Sequence, residues 1–180
     1  TELHDGLQTG FVASASLSAE LRASAIRRSA ELLARAERGP RPPGQRMLLA
    51  QAALQSGFAG ERAERTATLA ERAWDGGALL AHESGGGIAW RLVTAAFTLC
   101  GRLERAVELT EAVLDDARQR QSPVAFATAR YCRGLPKLWR GQVTDAMADL
   151  EAALDSTFYG WRQFSRTAQA GLALCLIERG

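Results

Sequence analysis

The residues able to do acid–base, nucleophilic or metal chemistry are few and scattered along this chain. His4 and His82 are the only histidines, so a histidine-based triad or metal site has few parts to draw on. His82-Glu83 opens like the His-Glu-x-x-His zinc motif, but Gly86 stands where the second histidine belongs. The glycine run Ser84-Gly85-Gly86-Gly87 lacks the Gly-Lys-Ser/Thr ending of a phosphate cradle and follows no strand, so it reads as a flexible loop. There is no Gly-x-Ser-x-Gly nucleophile elbow. Asp115-Asp116 reads as a solvated pair on a helix face. Cys100, Cys132 and Cys175 are odd in number, widely spaced and set among apolar neighbours, which argues against both a disulfide framework and a zinc site. Buried free thiols in a reducing cytoplasm are the expectation. These residues predict a chain that binds or scaffolds, with no catalytic, cofactor-binding or metal site.

The totals agree with that. A length of 180 residues suits one domain able to bury its own core. Twenty-two basic against 20 acidic residues leave +2, without the basic stripe expected of a nucleic-acid surface. Lys137 is the one lysine and asparagine is absent, a bias that fits a GC-rich genome. No apolar run approaches the roughly 18 residues of a membrane span, and no signal peptide is present. The expectation is a cytoplasmic chain with no membrane contact.

The elements follow a period. Gly101-Arg-Leu-Glu-Arg-Ala106 and Gly141-Gln-Val-Thr-Asp-Ala146 align, Gly60-Glu-Arg-Ala-Glu-Arg65 is a looser copy, and Gly180 is in phase. The glycine intervals are 41, 40 and 39 residues. Glycine followed five residues later by alanine is the turn of a tetratricopeptide hairpin. Seven positions before each glycine stand Ala53, Thr94, Gly134 and Ala173, all small, as a close approach of two helix axes requires. Thirteen positions after the glycine come Leu114 and Leu154. Leu103, Ala106, Val107, Leu109, Val113 and Leu114 make an apolar stripe at helical spacing, repeated by Met147, Leu150, Ala153 and Leu154. The fold class is therefore all-α: tandem antiparallel helix hairpins, a tetratricopeptide-like solenoid with a period near 40 residues. Residues 1–39 form an N-terminal helical segment or a preceding repeat, and 40–180 are the repeats proper.

Helices are expected over 17–38, 44–57, 60–74, 87–100, 103–121, 124–140, 143–155 and 161–179. Gly39-Pro-Arg-Pro-Pro-Gly44 breaks one helix and launches the next, Ser122-Pro123 caps another, and Pro136 should kink the helix that contains it. Gly180 stands at the turn of an unfinished hairpin and the chain begins with Thr1, which suggests a piece of a longer protein. The face of the last helix with Leu172, Leu176 and Ile177 would then lie bare and promote self-association.

The tryptophans Trp74, Trp90, Trp139 and Trp161 read first as core. Counting back from the turn glycines, the first helix of each hairpin should line a concave face with Arg91, Tyr131, Leu135, Trp139, Thr167 and Ala170. Such a groove either holds a small-molecule inducer or a protein partner, or is covered by flanking parts of the whole protein, the preferred reading of the two.

Four blocks carry a resemblance: Pro43-Gly-Gln-Arg-Met-Leu-Leu-Ala50, residues 69–80 (Leu-Ala-Glu-Arg-Ala-Trp-Asp-Gly-Gly-Ala-Leu-Leu), residues 140–152 around Gly141, and Leu174-Cys-Leu-Ile-Glu-Arg-Gly180. Over about residues 40–180 the chain resembles the helical middle region of large ATP-dependent regulators of the LuxR type, the class that includes the maltose regulator MalT. The resemblance implies an upstream P-loop ATPase and a downstream helix-turn-helix, with the helical region sensing an inducer or partner and controlling self-association. Neither the Walker lysine nor the helix-turn-helix is in this sequence, so ATP and DNA would be bound only through absent domains. The alternative is a stand-alone scaffold that holds a peptide or helix of a partner protein.

Overall fold

The computed structural model describes residues 7, 43–156, 161 and 165–180. Among them the chain is all-α, with no strand. The helices are α1 (Pro43–Phe58), α2 (Ala63–Trp74), α3 (Ala78–Glu83), α4 (Ala89–Leu99), α5 (Leu103–Gln119), α6 (Pro123–Trp139), α7 (Val143–Asp155) and α8 (Ser165–Arg179). The helix expected over 17–38, the division near residue 39 and His4 lie outside the described residues.

Three of the in-phase glycines end their helices in one way. Gly60, Gly101 and Gly141 have φ of 66°, 76° and 75°. At each, the glycine amide donates three residues back, and the next amide donates five residues back. The pairs are Gly60 to Gly57 and Glu61 to Ser56, Gly101 to Thr98 and Arg102 to Phe97, Gly141 to Leu138 and Gln142 to Lys137. This is the Schellman closure, which satisfies orphan carbonyls and needs a left-handed residue at its centre. Gln121 does the same job without glycine. Its φ is 52°, and Gln121 and Ser122 donate to Arg118 and Ala117. Opposite effects are therefore expected from two substitutions. Gly101→Ala should lower stability by about 1–2 kcal/mol, because a Cβ is disfavoured in this conformation. Gln121→Gly should raise it by about 0.5–1 kcal/mol, since the strain relieved outweighs the entropy glycine adds to the unfolded chain. Urea denaturation of the two variants checks both signs.

The helices pack on their sequence neighbours: α1 on α2, α4 on α5, α5 on α6, α6 on α7, α7 on α8. Alternate helices also meet, α1 with α4, α4 with α6, and α6 with α8. The small residues seven before the glycines fall at these contacts. Ala53 and Thr94 are buried, and a Cβ on Gly134 would come within 2.9 Å of Leu150 Cγ. Only backbone-to-side-chain contact fits there, so α6 and α7 approach through Gly134. Ala173, the fourth of the series, is exposed. The stripe on α5 is buried as its spacing requires, from Ala106 to Ala117, with Leu103 half-buried at its start. Ser122 caps α6, accepting a hydrogen bond from the Ala125 amide, and α6 runs on through Pro136 to Trp139.

Several expectations need correction. A short helix, α3, occupies 78–83, where no element was expected. Asp75, Gly76 and Gly77 all have positive φ, which ends α2 and lets the chain restart with Leu79 and Leu80 in the core. The run 84–87 is pinned rather than free. The Gly85 amide donates to Asp116 Oδ2 at 2.8 Å and its carbonyl accepts from Trp90 Nε1 at 3.2 Å. Asp116 is thus no solvated partner of the exposed Asp115: its side chain is 16% exposed and also holds Arg120. Trp74, Trp90 and Trp161 are core, whereas Trp139 is 54% exposed. On α8, Leu176 and Ile177 are exposed as expected, but Leu172 packs against the core that Leu138, Leu150 and Trp161 form, and Leu174 is exposed instead.

Candidate binding groove

Four of the exposed apolar side chains, Phe58, Ile88, Leu99 and Trp139, meet at one groove. It has a volume of about 390 Å³ and lies along α4 and α6, with Phe58 at the end of α1 and Ile88 ahead of α4 also on its wall. On α4 the wall is Arg91, Thr94, Ala95 and Thr98, with Leu92 and Leu99; on α6 it is Tyr131, Cys132, Leu135 and Trp139. Steps of three and four residues put each set on one helix face. Phe58, Ile88, Leu99 and Trp139 keep large apolar surfaces open to solvent.

The polar atoms of the wall are mostly committed elsewhere. Thr94 and Thr98 donate their hydroxyls within α4, to the carbonyls of Trp90 at 2.9 Å and Thr94 at 2.8 Å. Tyr131 is hydrogen-bonded to Thr167 on α8, and burial raises its phenol above the usual range. Its ring lies 5.8 Å from that of Trp161, whose indole N–H donates to Thr128 Oγ1 at 2.9 Å. Burial pushes the Cys132 thiol up to about 12. Among the described residues Arg91 is the one charged group on the wall. Glu83 senses it: burial raises the Glu83 carboxyl, offset in part by the Ala89 amide it accepts from at 3.1 Å and by the charges of His82 and Arg91.

Of the six residues expected on the concave face, the structure brings Arg91, Tyr131, Leu135 and Trp139 together here. Thr167 lies outside the groove and reaches it only through Tyr131; Ala170 is exposed on α8 and lines no part of it. Sequence reading missed Ala95 and Thr98, which the helical spacing from Arg91 would have found. It also missed Phe58 and Ile88, for which no spacing signal exists because both come from helix ends.

A second polar cluster ties α6 to α7. Asp149 is buried and accepts from Arg133 Nε at 2.8 Å and Nη2 at 2.7 Å, from Arg130 Nη1 at 3.1 Å, and pairs with Lys137 Nζ at 2.9 Å. Positions 130, 133 and 137 share one face of α6. Desolvation acts to raise the Asp149 carboxyl, yet the hydrogen bonds and charges of Arg133 and Lys137 prevail and hold it below its ordinary value.

All three cysteines are free, and burial raises each thiol. The thiolate is the reactive form. Iodoacetamide at pH 8 should therefore label the folded chain far more slowly than a free thiol, with the wholly buried Cys175 slowest, and denaturant should release all three; rapid labelling of Cys175 in the folded state would contradict the packing of α8 described.

Among the described residues no group of three or more His, Cys, Asp or Glu is placed to hold a metal ion, and no helix is long and apolar enough to cross a membrane. No protein-family model, no curated protein and no solved structure matches the chain.

Proposed function

We propose that this chain is a non-catalytic, tetratricopeptide-like binding module, the sensing and self-association region of an ATP-dependent regulator of the LuxR type. The observation that carries the binding role is the apolar groove on α4 and α6, with Arg91 and the open Trp139 on its wall. Exposed apolar surface gathered in a concavity is the ordinary mark of a binding site. The solenoid reading is supported by the Schellman glycines 40 or so residues apart and by the contacts among α1, α4 and α6. In such a stack each unit touches mainly its neighbours, so a ligand that bridges α4 and α6 biases their relative tilt. That bias is the means by which an occupied groove would shift a larger protein between assembly states. The regulator reading rests on the four sequence blocks and their order.

The test is made in the natural, full-length protein. Ala95→Trp fills the groove from a half-buried position on its wall, while Glu151→Lys changes an exposed position on α7. Light scattering with and without ATP should show altered self-association in the first variant and none in the second. Wild-type behaviour of a folded Ala95→Trp protein would contradict the proposal.

A further inference from the structure

We infer that the groove takes α8 of a second copy of this chain, so that copies join groove to helix. The inference rests on the reading of the groove as the binding surface. The large apolar side chains exposed among the described residues number nine, and seven of them fall in two places. Phe58, Ile88, Leu99 and Trp139 are on the groove; Leu174, Leu176 and Ile177 are on α8. One place is a hollow and the other a helix face, and gathered apolar surface of this kind marks an interaction site.

The two fit in pattern. Ala170, Ala173, Leu174 and Ile177 are all exposed. They stand at steps of three, four and seven, the spacing by which a helix lays one face into an apolar groove. Alanine at the first two positions lets the helix axis come close to a wall. The two also fit in length. The wall runs from Arg91 to Leu99 on α4 and from Tyr131 to Trp139 on α6, a rise of about 12 Å on each helix. The stripe from Ala170 to Ile177 rises about 10 Å. Apolar side chains can enter without stranding polar groups of the wall. The hydroxyls of Thr94 and Thr98 are used inside α4, and Tyr131 is held by Thr167.

The occupant must come from another molecule. Ala168, Gly171 and Cys175, on the opposite side of α8, are buried, and α8 packs on α6 and α7, so it cannot reach its own groove. Charge sets the direction. Glu178 is exposed beside the stripe, four residues after Leu174, and Arg166 is exposed four residues before Ala170. The Ile177 end therefore lies towards Arg91, the cation on the wall, and the Arg166 end away from it. A rim charge of this kind fixes register more than strength. Groove and stripe are different surfaces, so the contact is heterologous.

The contact is small beside the roughly 800 Å² that each partner buries in a standard interface, so it is read at high concentration. Light scattering on the 180-residue chain should show the average mass rising between about 10 µM and about 1 mM, the range of weak contacts. Two variants at exposed positions divide the contact: Ile177→Glu spoils the helix and Trp139→Glu the groove. Each should weaken association at least about tenfold, the worth of burying one such side chain. An equimolar mixture of the two should associate again, because Trp139→Glu keeps a sound helix and Ile177→Glu a sound groove. No gain of mass on mixing would overturn the proposal, and so would a wild type that stays monomeric to about 1 mM. Association lost in Ile177→Glu but kept in Trp139→Glu would overturn it as well, as pairing of α8 with α8, and would leave the groove reading to its own test in the full-length protein. Circular dichroism checks that both variants fold, and Ala95→Trp, which fills the same groove, replaces Trp139→Glu if that variant does not.

Discussion

Asp149→Ala is expected to destabilise the fold by about 3–5 kcal/mol, because it removes the buried carboxylate shared by three part-buried cations. Arg130, Arg133 and Lys137 have side chains 26%, 14% and 16% exposed, and all three are held by one carboxylate that is 2% exposed. With the carboxylate gone they repel one another on one face of α6, and the next acid, Glu111, lies 3.8 Å from Arg133 alone. Stability of ordinary domains is only about 5–15 kcal/mol, so the loss would be a large share of it. Urea denaturation measures it directly, and a loss under 1 kcal/mol would mean that the cluster is solvated.

The same residue sets a pH dependence. The Asp149 carboxyl titrates lower in the fold than an ordinary aspartate. Its contribution is therefore fully present above about 3.8 and is lost as pH falls towards the lower folded value. Glu83 is raised in the fold and works in the opposite direction, its contribution fading as pH rises through the folded value. The difference between wild type and Asp149→Asn isolates the first effect: that difference should shrink below pH 4.

Trp90→Ala should cost a similar amount, about 3–5 kcal/mol, the usual loss for a fully buried aromatic. Trp90 is wholly buried in the core shared by α1, α2 and α4. Its indole also holds the Gly85 carbonyl, and the Gly85 amide in turn holds Asp116 on α5. A Cβ on Gly85 would come within 3.2 Å of the Ala125 Cβ on α6, so the pinned loop packs against two helices beyond its own. Trp90→Phe separates the two roles. It keeps most of the buried ring and loses the hydrogen bond, for an expected loss of about 1–3 kcal/mol. Equal losses for the two variants would show that the hydrogen bond, and not the buried ring, holds this corner.

The backbone punctuation was legible in the sequence, and the tertiary polar contacts were not. Gly60, Gly101 and Gly141 announce their turns because glycine is the residue that adopts positive φ without strain. Gly134 announces a close approach because the contact excludes a Cβ. Gln121 takes the same left-handed conformation and gives no such sign, since the strain is carried by a residue of ordinary preference. The short helix at 78–83 is too brief for a periodic stripe to announce, although Leu79 and Leu80 supply its buried side. Asp116 read as a surface acid and Asp149 gave no signal, because burial of a carboxylate depends on partners 31 and 16 residues away, Gly85 and Arg133. The groove was half legible: α6 presented Tyr131, Leu135 and Trp139 at helical spacing, whereas Phe58 and Ile88 enter it from helix ends, where periodicity carries no information.

The measurement that bears most directly on the central claim is the length and content of the natural gene product, read from the open reading frame or from the intact mass of the native protein. The account predicts a product of about 900 residues, the sum of several domains of ordinary size, with a Gly-Lys-Ser/Thr loop upstream of this region and a helix-turn-helix downstream. A product that ends close to Gly180 and carries neither motif would contradict it, and the chain would then stand as a free scaffold for a partner peptide.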